Sequence, residues 1–204
     1  MKNMSRKSIG IALLACVGVL GAEELSEGAK QYRDHRFAEA EKSLQQQVNE
    51  HSDSAEAQAL LGRNMVALKK IDEGEAVIRK AEEMGLPEDQ SLVAMATASI
   101  ERRDVGKAME QLNKALEINP ESADALHYRG MVKAQQKDFQ GAIADLEKAA
   151  ELDPERGYTH YYLGVAYNGI KRPDKMAEQF EMFLKLSPDS PDSDKIRSVM
   201  KAFR

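Results

Sequence analysis

From Gly21 to Ser190 one pattern of 34 residues is written five times without an insertion, and this spacing constrains the chain more than any other feature. A small residue falls at Gly28, Gly62, Ala96, Gly130 and Gly164. Sixteen positions after each stands a larger apolar residue: Leu44, Ile78, Leu112, Leu146 and Phe180. Four positions before each of those comes Ala40, Gly74, Ala108, Ala142 or Met176. A unit this short cannot bury its apolar face alone, so consecutive units must cover one another.

Residues 123–156 show the local logic. Leu126 and Gly130 fall on one helix that runs to Gln136. Lys137-Asp138 forms a turn in which the Asp138 carboxylate is placed to accept an amide at the start of the next helix. Phe139, Ala142, Ile143, Leu146, Ala149 and Ala150 then recur at three- and four-residue steps, the stripe of a second amphipathic helix. Asp153-Pro154 stops it, because proline lacks an amide hydrogen and disfavours a helical residue before it. Asn119-Pro120 does the same one unit earlier. Gly130 and Ala142 mark where the paired helices approach closely, and Leu146 fills the space beside that contact. Aromatics at 5% and the absence of tryptophan suit close-packed helices.

These residues resemble the tetratricopeptide repeat (TPR) family. The third unit carries Leu92, Met95, Ala96, Ala108, Leu112, Ala115 and Pro120. The fourth carries Leu126, Gly130, Ala142, Leu146, Ala149 and Pro154, and the fifth Leu163-Gly164, Tyr167, Phe180 and Pro188. The second keeps Leu61-Gly62, Ile78 and Ala81, with Gly74 at the alanine position and Pro87 one place late. The first keeps Gly28, Phe37, Ala40 and Leu44, but Gln47 and Ser52 replace alanine and proline. The resemblance implies an all-α, right-handed α-solenoid of five helix pairs at 21–54, 55–88, 89–122, 123–156 and 157–190. Residues 191–204 supply a capping helix, with Ile196, Val199, Met200 and Phe203 on its inner face and Lys195, Arg197, Lys201 and Arg204 outward. Pro173, Met176 and Phe183 are stiffer or bulkier than the family pattern and point to altered packing in the fifth pair.

Ahead of the repeats, Met1 to Ser8 is short and positive, Ile9 to Leu20 is apolar, and Gly21-Ala22 precedes Glu23-Glu24. This is the layout of a secretory signal peptide over residues 1–22, and its apolar run is too short for a stable membrane anchor. Leu13-Leu14-Ala15-Cys16 also resembles a bacterial lipobox, in which Cys16 would become a lipidated N-terminus. Cleavage and lipidation stay open as alternatives, and both imply export to the periplasm or cell envelope. Cys16 is the only cysteine, so the repeats hold no internal disulfide.

The formal charge is −5, and without Lys2, Arg6 and Lys7 it becomes 26 basic against 34 acidic residues, or −8. No basic stripe interrupts that excess, which argues against a nucleic-acid partner. No nucleophile motif, phosphate loop or paired metal-ligand spacing occurs, and the four histidines form no i, i+4 pair. No enzyme activity, cofactor, metal or small-molecule substrate is expected.

The resemblance implies instead a concave groove lined by the first helix of each pair. Carried over position by position, it places Arg63, His127, Tyr128, Met131, Tyr158, Tyr161, Tyr162 and Asn168 as candidate partner-binding residues. Tyr32 and Arg33 face the groove from the first unit, and Asp124 from the fourth. Tyrosines combine large area with a polar tip, which suits a protein or peptide partner. The lysine and asparagine pattern by which some family members hold a peptide C-terminal carboxylate is missing. Expected functions are a protein-binding adaptor of the cell envelope or, second, a structural subunit or pilotin-like assembly factor of an export complex, docked by its outer surface. The membrane would enter only through lipid on Cys16.

Overall fold

A computed structural model of the protein describes residues 26–202, and every regular element among them is a helix. The first pair is α1 (Glu27–Arg33) and α2 (Phe37–Glu50), the second α3 (Ala55–Ala67) and α4 (Ile71–Glu83). The third is α5 (Glu88–Glu101) and α6 (Val105–Ile118), the fourth α7 (Ala123–Gln135) and α8 (Phe139–Leu152). The fifth is α9 (Gly157–Gly169) and α10 (Pro173–Leu186), and α11 (Ser193–Ala202) follows. The expected signal peptide and Cys16, together with Leu25, Phe203 and Arg204, lie outside the described residues.

The 34-residue pattern is visible as contact. A Cβ added to Gly28 would lie 2.8 Å from Leu44 Cδ2, one on Gly62 would lie 2.7 Å from Ile78 Cγ1, and one on Gly130 would lie 2.6 Å from Leu146 Cγ. Leu44, Ile78, Leu112 and Leu146 are completely buried. The paired helices therefore meet at the glycine, and the larger residue sixteen positions on packs across it. In the second pair both contacting residues are glycines, and a Cβ on Gly74 would fall 2.6 Å from the Gly62 carbonyl oxygen.

Five of the helices start at side-chain caps. Ser26, Ser54, Asp104, Ser122 and Asp138 each accept the amide three residues on, Asp138 from Gly141 at 3.0 Å. The turn inside each pair holds a feature with no glycine signature. His35, Lys69, Arg103, Lys137 and Lys171, again 34 apart, have φ between 57° and 67°. Each stands two residues past the end of a first helix, and the next amide reaches back five residues to close that end, as Asp138 N–H does to Lys133 O at 2.9 Å. Among the described residues only α4 closes with a left-handed glycine, Gly85 at φ 95°, two places ahead of the late Pro87.

Pro173 takes the first position of α10, where its missing amide costs nothing. Met176, Phe180 and Phe183 are buried there and pack with Tyr158, Ile196 and Met200, so the bulky residues of the fifth pair are what α11 covers. Lys195, Arg197 and Lys201 point outward.

Candidate functional site

The first helices of successive pairs lie side by side, α3 on α5, α5 on α7 and α7 on α9, and present one continuous concave face. The helix α1 is not laid against α3 in that way. It packs on α2, and its C-terminal turn reaches across the concave face to the fourth and fifth units.

Four consecutive residues make that crossing. The Tyr32 hydroxyl is 3.0 Å from the Tyr128 hydroxyl. Arg33 forms an ion pair with Asp153, and the Ser187 hydroxyl donates to the Asp34 carboxylate. The His35 ring stacks on Tyr158, with centroids 3.3 Å apart and an interplanar angle of 19°. These partners are up to 153 residues apart in sequence.

Beneath the turn lies a charge network. Asp124 accepts from Arg63 Nη1 at 2.7 Å and is also paired with Arg156. Burial alone would raise the Asp124 pKa, but Arg156 and Arg63 outweigh it and hold the carboxyl far below the usual carboxylate range. Arg63 also donates to the Tyr128 hydroxyl at 3.1 Å and lies over the Tyr32 and Tyr128 rings, 5.3 and 5.2 Å from their centroids. Arg63 Nε is buried without a hydrogen-bond partner in the protein. Burial drives the histidines toward their neutral forms: the His35 pKa falls to about 4, and His127 falls well below its ordinary value, with Arg156 adding to the effect.

Of the eight residues expected in the groove, Arg63, Tyr128, Met131 and Tyr162 come together around a cavity of about 210 Å³. Its remaining wall includes Tyr32, His35 and Phe37, contributed by the turn between α1 and α2. Tyr158 is placed differently from the expectation. It is 1% exposed, because His35 covers its ring while its hydroxyl binds Ser190 at 2.7 Å and Asp192 at 2.7 Å. His127 is likewise buried, with Nδ1 3.0 Å from the Thr159 hydroxyl and its ring edge-on to Tyr128 and Tyr162. Both therefore support the groove wall and present no free surface. Tyr161 is half-buried against Tyr162 and Phe183, and Asn168 is exposed at the end of α9, away from the cavity.

Sequence reasoning passed over His35 and Arg156, and treated Asp153 only as a helix stop. Their charge or aromatic character was visible, but nothing in a linear sequence couples position 35 to position 158. Among the described residues no group of three His, Cys, Asp or Glu side chains is arranged to hold a metal ion, and no helix is long and apolar enough to cross a membrane.

Known proteins share this architecture. Tetratricopeptide-repeat family models match residues 89–122, 123–156 and 158–190. No curated protein sequence matches the chain. Among solved structures, TTC0263 of Thermus thermophilus, a thermophilic TPR protein, is similar at 19% identity and TM-score 0.64, over 86% of this chain and 94% of that one. Pseudomonas aeruginosa pilF is similar at 23% identity and TM-score 0.60, over 75% and 72%. YrrB, a TPR protein with an unusual peptide-binding site, is similar at 19% identity and TM-score 0.53, over 84% and 88%.

Proposed function

The chain belongs to the tetratricopeptide-repeat family, and on that premise we propose that it is a non-catalytic adaptor of the cell envelope that holds a protein or peptide segment on its concave face. The observation that carries this reading is the convergence of Tyr128, Tyr162, Met131 and Arg63 on one cavity opening to that face. Three of these are large, partly apolar side chains of the kind that anchor protein interfaces, and the fourth, Arg63, lies over the Tyr128 ring beside them. A peptide-binding site in YrrB, which has the same fold, accords with it. Export rests on the layout of residues 1–22, and mass spectrometry of the mature N-terminus separates cleavage near Gly21-Ala22 from lipid on Cys16.

The test is a crosslinked pull-down from the native cells, using a tagged chain with its own leader beside the Tyr128→Ala, Tyr161→Ala, Tyr162→Ala variant. Circular dichroism of the purified variant confirms that its helices are intact. A partner lost with the tyrosines supports the groove. A partner kept equally by both sinks it in favour of a second reading, a structural subunit of an export complex docked by its outer surface. One observation favours that alternative: the chain's own first turn already covers part of the concave face.

A further inference from the structure

We infer that the turn Tyr32–His35 is an internal stand-in for the partner, and that the partner enters the groove by displacing it with an aromatic residue set beside a basic one. This rests on the groove reading above and adds to it the regulation and the ligand chemistry of the site.

In a repeat solenoid each unit ordinarily touches only its neighbours. Here four consecutive side chains of the first unit each find a separate receptor on the fourth and fifth: Tyr32 on Tyr128, Arg33 on Asp153, Asp34 on Ser187 and His35 on Tyr158. The helix that carries them is also the one that departs from the side-by-side row of first helices. The turn thus lies on the groove as a ligand would, tethered by α2.

The receptor's chemistry dictates what fits it. The ion pair with Asp153 marks the place of a basic side chain, the role Arg33 fills: Asp124 and Glu155 favour its charge, while burial and Arg156 oppose it and lower its pKa to about 10. An acidic side chain in that place would face Asp153 and Asp124 and be repelled. The flat face of Tyr158 favours an aromatic neighbour, the role of His35, and the Tyr128 hydroxyl favours a polar-tipped one, the role of Tyr32.

Occupancy requires displacement. His35 covers the Tyr158 ring and Arg33 holds Asp153, so a partner that uses these receptors cannot engage them until the turn leaves. Because the turn is tethered, it competes at an effective concentration no free peptide reaches in dilute solution, so closure weakens every external ligand.

The experiment measures anisotropy of a fluorescein-labelled peptide of the sequence Ser26 to Phe37, titrated with full-length protein. It compares the wild type with Arg33→Ala/His35→Ala, in which the turn has lost two of its four anchoring side chains. The expected result is binding at least tenfold tighter to the double variant, and at least tenfold weaker binding to that variant when the peptide's Arg33 and Arg36 are replaced by glutamate. Equal affinity of wild type and variant, absence of binding to the variant, or indifference to the charge reversal would each overturn the inference. A second variant, Asp34→Ala, keeps the His35–Tyr158 stack and guards against misfolding of the first. It is expected to bind the peptide with intermediate affinity, and wild-type affinity from a folded Asp34→Ala counts against the inference. The assay needs no native partner, so it separates the two readings. A peptide that binds while the native partner survives the tyrosine replacements leaves self-closure standing and removes the groove as the partner's site. A partner lost with the tyrosines, beside a peptide that fails to bind, does the reverse.

Discussion

Acid should loosen the closure through His35. Half-buried and stacked on Tyr158, this imidazole has its pKa lowered from 6.5 to about 4, chiefly by loss of solvent around it, with Arg156 reinforcing the shift and Asp192 opposing it. A lowered pKa means that the closed fold refuses a proton that the open or unfolded chain accepts. The stabilising contribution is then present above pH 6.5 and is lost as the pH falls toward 4. A shift of that size corresponds to about 3 kcal/mol in full, of which about 2 kcal/mol is lost between pH 7 and pH 5. Neighbouring groups have their own signs. His127 acts in the same direction, and Asp34, whose pKa burial raises, acts in the opposite one. Asp124 matters only below the ordinary carboxylate range.

Comparison with His35→Asn isolates the one group, since asparagine tolerates the left-handed φ of 57° at this position and does not titrate. Urea unfolding followed by circular dichroism at pH 7 and pH 5 should show the wild type losing about 2 kcal/mol more than the variant. Equal losses in the two proteins, or a His35 titration near 6.5 by proton NMR, would refute the reasoning.

Three further outcomes follow from packing and electrostatics. Asp124→Asn leaves Arg63 and Arg156 facing one another across the groove, and should cost about 3 kcal/mol in urea unfolding, whereas Asp194→Asn at the exposed start of α11 should change stability by less than about 0.5 kcal/mol. Lys137→Gly relieves a left-handed conformation at φ 66°, and should raise the urea midpoint by an amount worth about 0.5–1 kcal/mol. Gly74→Ala restores the residue type found at this position in the first, third and fourth units. It should nevertheless destabilise by about 1–3 kcal/mol, read as a lowered thermal midpoint, because its Cβ meets the Gly62 carbonyl at 2.6 Å.

Much of the fold was legible because its signals are local and repeated. The pairing of Gly130 with Leu146 is written in a spacing of sixteen residues, the Asp138 cap in its position before a helical stripe, and the α8 stop in Asp153-Pro154. The left-handed turn residues escaped notice because they are histidine, lysine and arginine, and the closing hydrogen bonds of the helix end override their side-chain preference. Four of the candidate groove residues converge on the cavity, since a repeat position implies a face. Tyr158 and His127 share that face and are nonetheless covered, because repeat position is silent about what lies above a face.

The sequence by itself determined the helices, their pairing and the order in which units stack, since each of those contacts joins residues within about one repeat of each other. Only the tertiary structure decided that the first turn lies on the fourth and fifth units. Contacts such as Tyr32 with Tyr128 and Asp34 with Ser187 depend on the accumulated rotation of the whole array, a small angle per unit that no single repeat encodes.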